Sequence, residues 1–92
     1  MAQHKVTLTI RATNGTAWTT EEFGLNQRVD HVRRTAIKHF VDAGAMTDGD
    51  YVLALVSGGN LTDLADADKL EDAGVSDGST LALVPRGPQV DG

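Results

Sequence analysis

At 92 residues, with 40% hydrophobic and 23% charged residues, the chain has the composition of one ordinary globular domain. Its net charge of −5 argues against nucleic-acid binding, which needs a basic face to release counterions, and against docking on an anionic membrane. The absence of cysteine excludes thiol nucleophiles, disulfides and cysteine metal sites.

Met1 to Val6 holds no apolar signal segment, and no run approaches transmembrane length, so a cytoplasmic location is expected. On that footing the sequons Asn14-Gly15-Thr16 and Asn60-Leu61-Thr62 are chance occurrences. Val6, Leu8 and Ile10 alternate with Lys5, Thr7, Thr9 and Arg11, which predicts a strand buried on one face. Asn14-Gly15 is a hairpin signal, because both residues tolerate positive φ. Thr16 to Phe23 is the returning strand, rich in Thr, Trp and Phe. Strict alternation puts Trp18 and Thr20 on one face and Ala17, Thr19, Glu21 and Phe23 on the other. Phe23 adjoins the next element and is placed inward, which leaves Trp18 partly exposed.

Asn26 can cap a helix that begins near Gln27. Val29, Val32, Ala36, Ile37, Phe40 and Val41 then mark one helical face, with Asp30, Arg33, Arg34, Lys38 and Asp42 mostly opposite. Asp30 and Arg34 can pair along that helix, and Gly44 can end it. After the Asp48-Gly49-Asp50 turn, Tyr51 to Val56 is an apolar run of strand length. Ser57-Gly58-Gly59-Asn60 breaks it, and Leu61 and Leu64 anchor an acidic connection as a short strand or turn. An amphipathic turn carries Leu70 and Val75, and Ser79 to Val84 is a final strand with Leu81 and Leu83 inward. A single helix lying across one face of a mixed sheet buries these faces, giving a two-layer α+β domain. The helical crossover lets the first and last strands lie side by side and parallel. The expected domain covers residues 1–84, with a tail at 85–92 too poor in apolar residues to pack.

Catalysis finds little footing. His31 and His39 stand eight apart on one helix, too far for a tight metal pair, and His4 is at a terminus. Asp63, Asp66, Asp68, Glu71 and Asp72 lack the spacing of a calcium loop and read as a solvated face. Gly58 and Gly59 do not open a helix, so they form no phosphate loop, and no serine has a base partner. No enzyme activity, metal or cofactor is expected, and the chain is expected to be a monomer. Trp18 and Leu55 are core residues or, if the register leaves them on the open face of the sheet, part of a partner-binding patch with Val84.

The order of elements along residues 5–84 resembles the ubiquitin-like β-grasp family, whose four- to five-stranded mixed sheet carries one helix across one face. The closest local match is Lys69 to Val84. Ubiquitin's Thr-Leu-Ser-Asp-Tyr-Asn-Ile and Ser-Thr-Leu-His-Leu-Val stand against Lys69-Leu70-Glu71-Asp72-Ala73-Gly74-Val75 and Ser79-Thr80-Leu81-Ala82-Leu83-Val84, at the same spacing. Gly59-Asn60-Leu61-Thr62-Asp63-Leu64 is similar to bacterial ubiquitin-like proteins of the multi-ubiquitin type. Domains of that type accompany activating and conjugating enzymes, often with a deubiquitinase-like metalloprotease.

The resemblance implies a protein modifier whose C-terminal Gly92 carboxylate is activated with ATP and transferred to a target. Extended, Pro85 to Gly92 spans up to about 26 Å, enough to enter an enzyme while the domain docks outside. Arg86 falls where ubiquitin has a tail arginine, and Arg86 and Asp91 are the expected contacts with the activating enzyme. The chain departs from the family in ending Asp91-Gly92 rather than Gly-Gly, and in carrying Pro85 and Pro88 in its tail. The alternatives are a non-covalent ubiquitin-like interaction domain and, behind it, a sulfur carrier, since sulfur carriers of this fold usually keep Gly-Gly.

Overall fold

The computed structural model describes residues 5–86. Strand β1 (Lys5–Arg11) and strand β2 (Ala17–Gly24) form the hairpin expected around Asn14-Gly15. Helix α1 (Val29–Asp42) follows, then β3 (Tyr51–Ser57) and β4 (Asn60–Asp63). A short 3₁₀ helix (Glu71–Ala73) precedes β5 (Thr80–Pro85). The sheet order is β2-β1-β5-β3-β4, with β1 and β5 parallel and the other neighbours antiparallel. The expected α+β architecture of one helix on a four- to five-stranded mixed sheet is present, with Asn60–Asp63 making the fifth strand.

The helix starts later than expected, and for a different reason. Its N-cap position is Arg28, not Asn26, and no side chain caps it. The Val29 and Asp30 N–H groups instead donate to the carbonyls of Asp68 (2.8 Å) and Asp66 (3.2 Å). The acidic connection is thus folded onto the helix N-terminus, where its carbonyls satisfy donors that the helix itself leaves free. Arg33 reinforces this clasp by donating two hydrogen bonds to the Asp66 carboxylate, at 3.0 and 3.1 Å. At the other end, Gly44 (φ +77°) donates to Val41 and Ala45 donates to Phe40, which is the paired C-terminal closure that favours glycine.

The core lies between α1 and the inner face of the sheet. Val6, Leu8, Ile10, Phe23, Leu53, Leu81 and Leu83 meet Val29, Val32, Ala36 and Phe40, all with 3% exposure or less. Leu70 and Val75 close one end, as their spacing suggests. Two of the expected loop anchors separate. Leu64 is buried, whereas Leu61 is 55% exposed, because β4 is an edge strand and pairs only with β3. Pairing also continues past the expected boundary at Val84. Pro85 pairs with Tyr51, and the Arg86 N–H donates to Asp50.

The register of β2 departs from strict alternation. Val6 pairs with Phe23 but Leu8 pairs with Thr20, so β2 carries one extra residue between these pairs. Such a bulge shifts the alternation by one, and Thr20 and Phe23 both point inward. The Glu22 N–H, within the bulge, donates to the Thr20 hydroxyl.

Candidate protein-docking face

The sheet has one covered face and one open face. Residues directly opposite in a ladder share a face, so the pairings place the open-face side chains in rows. One row runs Thr9, Thr80, Val56, Leu61 across β1, β5, β3 and β4. The next runs Arg11, Ala82, Ala54, Asp63, and a third brings Val84 beside Val52. Val52, Val56, Ala82 and Val84 are half-buried, and Leu61 is the one large hydrophobic residue among those described that is well exposed. Together they form an apolar surface that nothing in the chain's described part covers. A depression of about 420 Å³ crosses it, lined by Arg11, Val56, Leu61, Ala82, Val84 and Pro85 among others.

Trp18 and Leu55 do not belong to this surface. The bulge lets Trp18 and Phe23 both face the helix. The Trp18 indole stacks on the His39 imidazole, with centroids 3.8 Å apart and planes 10° apart. It meets Phe23 and Phe40 edge-on at 6.2 and 6.3 Å. Leu55 also packs against the core, on the side of Gly74, where an added Cβ would lie 3.8 Å from its Cδ2. Of the two alternatives for Trp18 and Leu55, core packing holds and their place in the partner patch is corrected, because each is turned toward the helix side. Val84, the third expected patch residue, is on the open face. Val52, Val56, Leu61 and Ala82 join it there. Their signal in the sequence is the alternation of Val52, Ala54 and Val56 with Tyr51, Leu53 and Leu55, which a uniformly apolar run hides.

The histidines of α1 serve aromatic packing. His39 lies on Trp18, and His31 meets Phe23 edge-on at 6.0 Å. Among the described residues no group of three or more His, Asp or Glu side chains could hold a metal ion. No helix there is long and apolar enough to cross a membrane. Arg86 is exposed at the end of β5, while Asp91 and Gly92 lie outside the described residues.

Solved structures share this arrangement. The C-terminal ubiquitin-like domain of mouse tubulin-specific chaperone E matches with a TM-score of 0.72 at 17% identity, over 99% of this chain and 96% of that one. A designed protein based on ubiquitin matches with a TM-score of 0.69 at 15% identity, over 99% and 100%. The chain has a ubiquitin-like fold. The ubiquitin-like domain of an Arabidopsis thaliana protein is also similar, with a TM-score of 0.65 at 15% identity over 99% and 87%. No protein-family model and no curated protein matches the sequence. At these identities the likeness is one of fold, and within the ubiquitin-like domain the chemistry must be argued from its own residues.

Proposed function

We propose that this ubiquitin-like domain is a protein modifier of the bacterial multi-ubiquitin type. Partner enzymes dock on the open face, and the Gly92 carboxylate is the group transferred. The observation that carries the reading is the exit of β5. This central strand leaves the sheet at Pro85 and Arg86, beside the apolar surface formed by Val84, Val52, Val56 and Leu61. An enzyme seated on that surface stands next to the segment that leads to Gly92.

In the proposed sequence the Gly92 carboxylate attacks the α-phosphorus of ATP and displaces pyrophosphate. An enzyme thiolate then displaces AMP to form a thioester, and a target amine displaces the thiol. The thiol must come from the activating and conjugating enzymes, since this chain has no cysteine. Glycine has no Cβ, which leaves the carbonyl open to each nucleophile. Arg86 and Asp91 supply the charged contacts along the enzyme's groove, and a metalloprotease is the expected means of removal.

The test is incubation with ATP and candidate adenylating enzymes, followed by intact-mass measurement. An AMP or thioester adduct that is lost on deleting Gly92 supports the reading. No adduct from any candidate, with partner capture unaffected by deleting residues 87–92, would sink it. The second reading, a non-covalent interaction domain, is favoured by one observation. Leu61 is 55% exposed beside Val56 on an edge strand, an arrangement suited to binding whether or not the chain is conjugated.

A further inference from the structure

Asn14 and Gly15 are exposed at the tip of the β1–β2 hairpin. The space around Gly15 is open, with nothing within 4 Å of where a Cβ would stand. An asparagine followed by glycine has a nucleophile beside it. The next backbone nitrogen is unshielded by any side chain and can reach the side-chain amide carbon. The chain's other two asparagines lack that access. Asn26 precedes Gln27 and Asn60 precedes Leu61, and each of those side chains crowds the nitrogen.

Three hydrogen bonds define the tip. The Ala12 N–H donates to the Thr16 carbonyl (2.7 Å), and the Gly15 N–H donates to the Ala12 carbonyl (3.1 Å). The Thr16 N–H donates to Asn14 Oδ1 (2.9 Å). Gly15 has a φ of +91°, and no other residue of the loop has positive φ, so this is a type I turn closed by a left-handed glycine. Two of the bonds act on Asn14 in opposite senses. The Thr16 donor draws electron density from the amide carbonyl and makes its carbon a better electrophile. The Ala12 acceptor holds the Gly15 N–H in the turn and so withholds the nucleophile.

We propose that Asn14 is a site of spontaneous covalent modification by water, timed by opening of the hairpin tip. The Gly15 nitrogen gives up its proton to hydroxide and attacks Asn14 Cγ. The tetrahedral adduct expels ammonia and leaves a five-membered succinimide. Water opens that ring at one carbonyl or the other, giving aspartate or isoaspartate in place of Asn14. One water enters and one ammonia leaves. Both products add a negative charge to the tip. Aspartate keeps an oxygen for the Thr16 N–H. Isoaspartate routes the backbone through the side-chain carbons, which lengthens the tip and breaks the closure between Ala12 and Thr16. The modification is independent of transfer at Gly92 and of docking on the open face.

The full chain is incubated in mildly alkaline buffer, either folded or unfolded in guanidinium chloride, and its peptides are mapped by mass spectrometry. Asn14 should gain the mass difference between an amide and a carboxyl, with the two products separable by chromatography, while Asn26 and Asn60 stay unchanged. The folded chain should convert roughly tenfold more slowly than the unfolded one, the factor that corresponds to about 1.4 kcal/mol of local opening, the scale of one or two hydrogen bonds. Thr13→Pro puts the residue favoured at that position of a type I turn, and should slow conversion further in the folded chain while leaving the unfolded rate unchanged. Gly15→Ala, read in denaturant where strain in the turn has no effect, should lose most of the conversion. No product at Asn14 in the folded chain, or an equal yield at Asn26 or Asn60, would overturn the site. Equal folded and unfolded rates, or a folded Thr13→Pro chain that converts as fast as the wild type, would overturn the timing by hairpin opening.

Discussion

Replacing Trp18 with alanine separates the two faces of this sheet. The indole is half-buried, stacked on His39 at 3.8 Å and edge-on to Phe23 and Phe40. Truncating a fully buried tryptophan costs about 3–5 kcal/mol. Half of that, for a half-buried side chain, is about 2 kcal/mol, and it includes the loss of three aromatic contacts worth a fraction of a kcal/mol to about 1 kcal/mol each. In a domain of this size about 2 kcal/mol lowers the midpoint of thermal unfolding by roughly 10 °C. Urea and thermal unfolding followed by circular dichroism measure it, since the only tryptophan has been removed. Trp18→Phe should recover about half the loss. Partner capture by the folded variant should be unchanged, because Trp18 lies on the helix side. A Trp18→Ala chain as stable as the wild type, or one of normal stability that no longer captures its partner, would refute the placement of this residue in the packing and return it to the docking surface.

Leu61→Asp should show the opposite pattern. Stability should change by less than about 0.5 kcal/mol, as for most exposed positions, while capture of a partner by the open face should be lost in a pull-down. Arg33→Ala, Asp66→Ala and the double variant form a cycle in urea denaturation. Both side chains are partly exposed, and the coupling should be about 0.5–1 kcal/mol, falling as salt is raised. Gly74→Ala should cost about 1–2 kcal/mol through the backbone alone, because φ is +91° while the nearest atom to the new Cβ is at an ordinary 3.8 Å. Differential scanning calorimetry would register it as a lower midpoint.

Most of the fold could be read from the residues because local pattern and tertiary environment agree. Val6, Leu8 and Ile10 alternate and are buried, and Val29, Val32, Ala36, Ile37 and Phe40 hold one helical stripe and are buried. Gly44 stops the helix where positive φ is needed. The helix start could not be read, because its cap comes from sequence-distant carbonyls at Asp66 and Asp68, and no local motif announces it. The register of β2 was hidden for a related reason. A bulge is set by what the opposite strand and the helix must accommodate, and nothing in Glu21-Glu22 marks an extra residue.

The bulge also explains why the core reading of Trp18, and not the patch reading, is the one the fold adopts. Under strict alternation one of Trp18 and Phe23 must leave the core, and an expelled tryptophan looks like a binding residue. With one extra residue in β2 both aromatics stay on the helix side, so no aromatic is left on the open side of that strand, where the Thr19 hydroxyl lies 3.2 Å from that of Thr9. The apolar surface consequently sits across β5, β3 and β4, where Val84, Val52, Val56 and Leu61 meet. It is displaced from the β1–β2 hairpin, whose tip at Thr13, Asn14, Gly15 and Thr16 is exposed and polar. In the proposed reading a partner of this face approaches across the β4 edge and the end of β5. That approach brings it to the segment leading to Gly92, which joins the docking surface and the proposed transfer chemistry through one strand.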